Sequence, residues 1–223
     1  MQSSRWDAQG NVYLVTTEPL TAETSRAAVG DADGILEVRG CGDDWVEIAI
    51  WNPDGSQAEM SGTGTRIAAK WLGAPTVRVR VGPREVVARM LDGDLVEQDL
   101  GEVAVGAPET VDGITFIAVD VGNPHAVVDG DPSRLHEIGP FLETHSRFPN
   151  RTNVQVARRD GGAIEARVWE RGAGETASSG SSAVAVAAAF GCDPVTVRFP
   201  GGALDVRFDG RRAFLTGPAV RVR

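Results

Sequence analysis

A chain of 223 residues with 42% hydrophobic and 24% charged side chains has the composition of a soluble globular protein. It is long enough for one large domain or two small ones, and its core needs no metal or disulfide. A net charge of −9 without a basic patch argues against a nucleic-acid partner, and no run of about 18 apolar residues suggests a membrane span. Only Cys41 and Cys192 are present, without metal-ligand spacing, which points to a reducing, cytoplasmic setting. The opening MQSSRWDAQGNVYLV lacks the apolar block of a signal peptide. Arg78, Arg80 and Arg221 to Arg223 fall in alternating segments and read as solvated strand faces.

The residues before Ser61 read as strands. From Ser61 the stretch TRIAAKWLGAP is apolar and Ala-rich, and it ends at Gly73 and Pro75, a helix stop. An alternating run follows, TVRVRVGPREVVARMLDGDLVEQDLG, with Asp92-Gly93 as a hairpin turn. The second half repeats this plan. Trp51 precedes Ser61-Gly62-Thr63 and Trp169 precedes Ser179-Gly180-Ser181 at the same spacing, and Val79 and Val197 keep that offset. The helix SAVAVAAAF is apolar nearly all round, which implies burial, and stops at Gly191 and Pro194. Alternating segments then turn at Asp209-Gly210, one residue out of step with the first half. The expected architecture is α/β (α+β): two pseudo-symmetric halves, each a curled, mostly antiparallel sheet around a central helix. The boundary is expected at residues 1–106 and 107–223, with residues 212–223 open to crossing back to the first half.

A helix N-terminus carries unpaired N–H groups and partial positive charge, so it suits a carboxylate or phosphate. Ser-Gly-Thr-Gly-Thr and Ser-Ser-Gly-Ser-Ser expose that backbone with small side chains. Two such starts related by a pseudo-twofold would set Ser61 and Ser179 at equivalent points of one small-molecule site. There a proton could leave one face of a carbon and return to the other. Each serine taken alone reads as an N-cap, and it is the repeat and the surrounding motifs that point to a site.

The residues also resemble a known family. WNPDGSQAEMSGTGTR and VWERGAGETASSGSSA are similar to the two signature motifs of diaminopimelate epimerases, the second being highly specific. Gly10-Asn11, Gly122-Asn123-Pro124-His125, LETHSRFPNRTN and LTGPAV match in order, from about residue 6 to 220. The resemblance implies the diaminopimelate-epimerase-like fold and an isomerase of amino acids. It implies inversion of the α-carbon between LL- and meso-diaminopimelate without a cofactor or metal, in lysine and peptidoglycan precursor synthesis. The partner is then a small amino-acid substrate, with a homodimer as the expected assembly. Asn11, Asn52, Asn123, Asn153, Glu170 and Arg171 match substrate contacts, and Gly62, Thr63, Gly180 and Ser181 match the helix starts that hold the reacting carboxylate. Asn and Glu bond ammonium groups and Arg forks onto a carboxylate, as a substrate with two amino-acid heads requires. His125 reads equally as a cleft residue and as a hydrogen-bonded structural histidine.

Serine stands at both positions, Ser61 and Ser179, where the family carries a thiolate base and a thiol acid. Val12 stands for Asp and Thr63 for Asn. A thiol has a pKa near 8.5 that a helix start lowers, whereas a hydroxyl needs an adjacent base. Asp54, Glu59 and Glu175 are the nearby carboxylates, and each by itself reads as a surface or structural hydrogen-bonding group. Three readings follow: an epimerase of altered chemistry, native or a double Cys→Ser form; a non-thiol isomerase of another small carboxylate, with Asp54 or Glu175 as base; and a catalytically silent binding protein.

Overall fold

The computed structural model describes residues 1–222, and its contacts divide into two units. The first comprises Met1–Asp99 and the residues from Thr216 onward, and the second Leu100–Leu215.

In the first unit, β1 (Ser3–Ala8) and β2 (Asn11–Thr16) form a hairpin with Ser3 opposite Thr16 and Ala8 opposite Asn11. Its turn residues Gln9 and Gly10 have φ of 63° and 80°, the left-handed pair that matches the twist of the strands. α1 (Ala22–Ala28) leads to β3 (Gly34–Cys41), which runs parallel to β2. β4 (Trp45–Trp51) returns antiparallel to β3, and β5 (Gln57–Ala58) folds back on its end. α2 (Gly62–Leu72) then crosses to β6 (Thr76–Val81), parallel to β4. β7 (Arg84–Met90) and β8 (Leu95–Glu102) follow as antiparallel neighbours. The Asp92-Gly93 turn joins them, with Leu91 N donating to Leu95 O at 3.0 Å and Gly93 at φ 68°.

The second unit repeats the pairing order. β9 (Ala104–Val111) and β10 (Ile114–Asp120) pair antiparallel, and so do β10 and β11 (Pro124–Asp129). α3 (Leu135–Glu143) crosses to β12 (Asn153–Asp160), parallel to β11. β13 (Ala163–Glu170) is antiparallel to β12, and β14 (Gly174–Thr176) folds back on its end. α4 (Gly180–Phe190) crosses to β15 (Val195–Phe199), parallel to β13 and antiparallel to β16 (Gly202–Asp209). The chain leaves the first unit along β8 and returns along β17 (Arg212–Pro218), after which β18 (Val220–Val222) pairs antiparallel with β1.

Each unit is thus a mainly antiparallel sheet around one helix. α2 packs against β1, β2, β3, β4, β6 and β7; α4 packs against β10, β11, β12, β13, β15 and β16. Ala183 to Ala187 of α4 are completely buried. Their small side chains let strands approach the helix from all round, and each buried valine there contributes about 1.5–3 kcal/mol. α2 buries Thr63 to Ala69 among Leu36, Ile48, Ile50, Val77 and Val79. The sequence patterns implied one helix per half, but each unit holds a second. α1 and α3 cover smaller apolar clusters, around Ile35 and Trp51 in the first unit and around Phe116 and Phe148 in the second.

Candidate active site

In the first unit the candidate residues sit at strand ends and at the start of α2. Ser61 has extended dihedrals (φ −146°, ψ 118°) and caps α2, its Oγ accepting from Gly64 N at 3.0 Å. Thr65 adds a second lock, its N and its hydroxyl both donating to Ser61 O. A side chain at position 64 would place Cβ 3.1 Å from Leu36 Cδ2 and 3.4 Å from Ser61 Oγ, so the space beside the cap is tight. The amides of Gly62 and Thr63 have no acceptor within the helix. Asn52 closes the turn after β4: its N donates to Ser56 O (2.8 Å) and its Nδ2 to Ser56 Oγ (3.0 Å). Asn11 opens β2, half-buried beside the Gln9-Gly10 turn.

Asp54 is exposed and serves that same turn. Its Oδ1 accepts from Ser56 N and Ser56 Oγ, bonds that lower its pKa. Glu59 is exposed. Glu175, in the second unit, accepts from Arg167 Nε and Nη2 at 2.6 and 2.7 Å and from His136 Nε2 at 2.8 Å; Arg167 chiefly holds it well below the usual carboxylate range. Asp54 and Glu175 are thus each committed to partners of their own.

In the second unit the candidate residues form a bonded set. Ser179 has extended dihedrals like those of Ser61 (φ −149°, ψ 126°), but its side chain makes no cap bond. The amides of Gly180, Ser181 and Ser182 therefore all lack an acceptor within α4, one more than at α2. The Ser179 hydroxyl bonds the carboxylate of Glu170 instead, which also accepts from Thr176 Oγ1 at 2.8 Å. Glu170 as a residue is half-buried, yet desolvation of its carboxyl outweighs both bonds and raises its pKa. The sequence offered Glu170 only as a substrate contact. Its place beside Ser179 comes from the tight turn between β13 and β14, where Gly172 and Gly174 take φ of 79° and 83°. That turn brings Thr176 back beside Glu170 just before α4 begins.

Two further chains of bonds complete the set. Asn153 Oδ1 accepts from Arg171 N at 3.0 Å while its Nδ2 donates to Pro124 O at 2.9 Å. His125 Nδ1 accepts from Gln155 Nε2 at 2.9 Å, which leaves Nε2–H to donate to Asn123 Oδ1 at 3.0 Å. Gln155 Nε2 also donates to Ser182 Oγ at 2.9 Å. Burial drives the His125 pKa down to about 3, with the nearby Arg171 charge adding to the shift and the Gln155 bond opposing it. His125 is a buried, neutral ring whose bond orients Asn123. The Arg171 side chain is exposed, and its Nη1 donates to Asn150 O at 3.4 Å. A cleft of about 550 Å³ beside the Gly122–His125 turn is lined by Val105, Glu109, Arg147 and Phe148, and reaches neither Glu170 nor Ser179.

The model of the family described as diaminopimelate epimerase matches residues 117–222. A diaminopimelate epimerase from Synechococcus elongatus is 36% identical across 100% of this chain and 96% of its own length. The chain belongs to the diaminopimelate epimerase family. A diaminopimelate epimerase from Pseudomonas entomophila agrees, at 36% identity over 78% of this chain and 75% of that protein. Solved structures carry the same fold at low identity. A Pseudomonas aeruginosa protein described as a predicted epimerase has a TM-score of 0.75 at 16% identity, covering 99% of this chain and 96% of that one. A probable proline racemase from Agrobacterium radiobacter with bound carbonate has a TM-score of 0.70 at 15% identity, covering 99% and 90%. Among the described residues no helix is long and apolar enough to cross a membrane.

Proposed function

We propose that this protein, an amino-acid isomerase by family, inverts the α-carbon of diaminopimelate between the LL and meso forms without a cofactor, with Ser61 and Ser179 at the proton-transfer positions. In this reading it serves lysine and peptidoglycan precursor synthesis in the cytoplasm, as a homodimer. The observation that carries the proposal is the carboxylate of Glu170 bonded to the Ser179 hydroxyl at the start of α4. A hydroxyl becomes a useful base only beside a group that takes its proton. Burial raises the proton affinity of Glu170 above that of an ordinary carboxylate, which strengthens it as a base.

The substrate α-carboxylate docks on the open amides of Gly180, Ser181 and Ser182, where the positive helix end stabilises charge developing toward the α-carbon. Ser179 Oγ takes the α-proton while its own hydroxyl proton passes to Glu170, and the carbon is left with the electron pair. Delivery of a proton from Ser61 inverts the centre; Ser61 recovers a proton from water, and the hydroxide so formed takes the proton held by Glu170, which returns the site to its starting state. Return of the proton through Ser179 restores the starting configuration after exchange with solvent. Ser61 Oγ is engaged as a cap acceptor, and among the described residues no carboxylate bonds it. Exchange therefore outpaces inversion. Asn123, Asn153 and Arg171 in the second unit, and Asn11, Asn52, Gly62 and Thr63 in the first, are assigned to substrate binding.

LL-diaminopimelate incubated with the purified protein in D2O tests this by NMR and chiral chromatography. Deuterium should enter the α-position, and meso product should form more slowly. Tight binding of diaminopimelate with no exchange would instead mark a silent binding protein. Exchange confined to other small amino acids or carboxylates would favour a second reading, a non-thiol isomerase, for which Glu170 rather than Asp54 or Glu175 is the available base.

A further inference from the structure

LETHSRFPN, at the end of α3, is a matched motif with no role in the chemistry above, and its Glu143 is a buried carboxylate with three donors around it. Its side chain is 8% exposed. Oε2 accepts from Trp169 Nε1 at 2.8 Å, and Oε1 accepts from Gly172 N at 2.8 Å and from Arg151 Nη1 at 3.3 Å. Burial alone would push this carboxyl up, but the donors from Trp169, Gly172 and Arg151 together outweigh it and hold Glu143 ionised. Three donors on one carboxylate fix its position tightly, because each is charge-assisted in a poorly hydrated place.

Trp169 lies on β13, and the other two donors belong to the two turns that carry the candidate site. Gly172 lies in the tight turn immediately after Glu170 and Arg171. Arg151 precedes Thr152 and Asn153, and its backbone takes the left-handed φ of 60° that a side chain other than glycine rarely adopts. The turns are also joined directly, Asn153 Oδ1 accepting from Arg171 N. α3 is held close enough for this by Gly139: a Cβ there would meet Trp169 Cβ and Cγ at 2.8 Å.

We propose that Glu143 is a positioning residue: by tying the Arg151 turn to the Gly172 turn and to the Trp169 indole, it holds Glu170 against Ser179. It touches no substrate and acts through Glu170. This rests on the reading of Glu170 as the base, so the test includes a readout independent of turnover.

Glu143→Gln keeps one acceptor of the same size and loses the charge and the second acceptor. The Glu170 carboxyl, followed by ¹³C NMR with assignment from Glu170→Gln, should shift its titration midpoint by about one pH unit in this variant. With diaminopimelate as substrate, kcat for exchange should fall ~10- to 100-fold with little change in KM, and the acidic limb of the pH–rate profile should move with Glu170. Glu143→Ala should be worse than Glu143→Gln. Unchanged Glu170 titration in folded Glu143→Gln overturns the proposal whether or not the protein turns over diaminopimelate. A shifted titration in a protein without exchange activity upholds the positioning role and overturns the proposed reaction instead. Should Glu143→Gln fail to fold, Arg151→Ala removes one exposed partner only. It is expected to move the Glu170 midpoint in the same direction by a smaller amount, and no movement there overturns the proposal.

Discussion

Replacing Glu170 by Gln separates its chemical role from its structural one, because the two move in opposite directions. The amide oxygen can still accept from Thr176 Oγ1, which donates to Glu170 at 2.8 Å, so the turn before α4 keeps its bond. What is lost is the proton acceptor behind Ser179, and removing a positioned general base costs about 10²- to 10⁴-fold in rate. Stability should respond with the reverse sign. Burial raises the Glu170 pKa in the folded chain above its ordinary 4.5. Between that ordinary value and the raised folded one, the native state keeps a proton that the unfolded chain has released. Wild-type stability therefore falls as pH rises through that window, and the contribution is intact only below it. Gln never ionises and lacks this slope. Urea titrations at a series of pH values should show the two proteins converging toward acid pH and Glu170→Gln becoming the more stable toward neutral pH. α-Proton exchange measured in parallel should collapse. A variant that is less stable at neutral pH, or that exchanges as fast as wild type, would refute the assignment of Glu170 as a desolvated base.

The two helix starts should also differ under mutation. Ser61→Ala deletes a real cap and is expected to cost about 0.5–2 kcal/mol. Ser179→Ala deletes no cap bond and should lower the denaturant midpoint less while abolishing exchange; equal destabilisation by the two would contradict the contrast drawn between them. Gly139→Ala would drive a methyl into Trp169 Cβ and Cγ, atoms too near the backbone to swing aside. It is expected to cost about 1–3 kcal/mol in chemical denaturation, and a neutral result would mean α3 is not held as close to β13 as described.

The duplicated plan was legible because it is written in residues with strong local meaning. Trp51 and Trp169 end equivalent strands, Ser61 and Ser179 begin equivalent helices, and the Asp-Gly pairs turn equivalent hairpins. α1 and α3 were not legible. α1 has seven residues, and its capping box closes with Thr24 in place of the usual Glu or Gln. α3 follows a short 3-10 turn at Pro132–Arg134 and contains Pro140, which reads as a helix breaker. The membership of the second-unit set was partly visible as motifs, but its wiring was not. Nothing local tells that Glu170 meets Ser179 while Glu175, five residues on, is claimed by Arg167 and His136. That choice depends on two left-handed glycines and the β13–β14 pairing. His125 carried two readings in sequence, and the fold gives it features of both: it is buried and bonded to Gln155 and Asn123, and it also lines the cleft beside the Gly122–His125 turn.

If the starts of α2 and α4 are the proton-transfer positions of a diaminopimelate epimerase, thiols placed there should revive the full reaction. A helix start lowers a thiol's pKa toward neutrality, so each cysteine can serve as thiolate base or thiol acid without Glu170 behind it. The decisive measurement is the initial rate of LL-to-meso conversion by Ser61→Cys/Ser179→Cys beside wild type. Inversion is expected to rise by at least ~10²-fold and to catch up with exchange. A folded double variant that binds diaminopimelate but inverts it no faster than wild type would contradict the account.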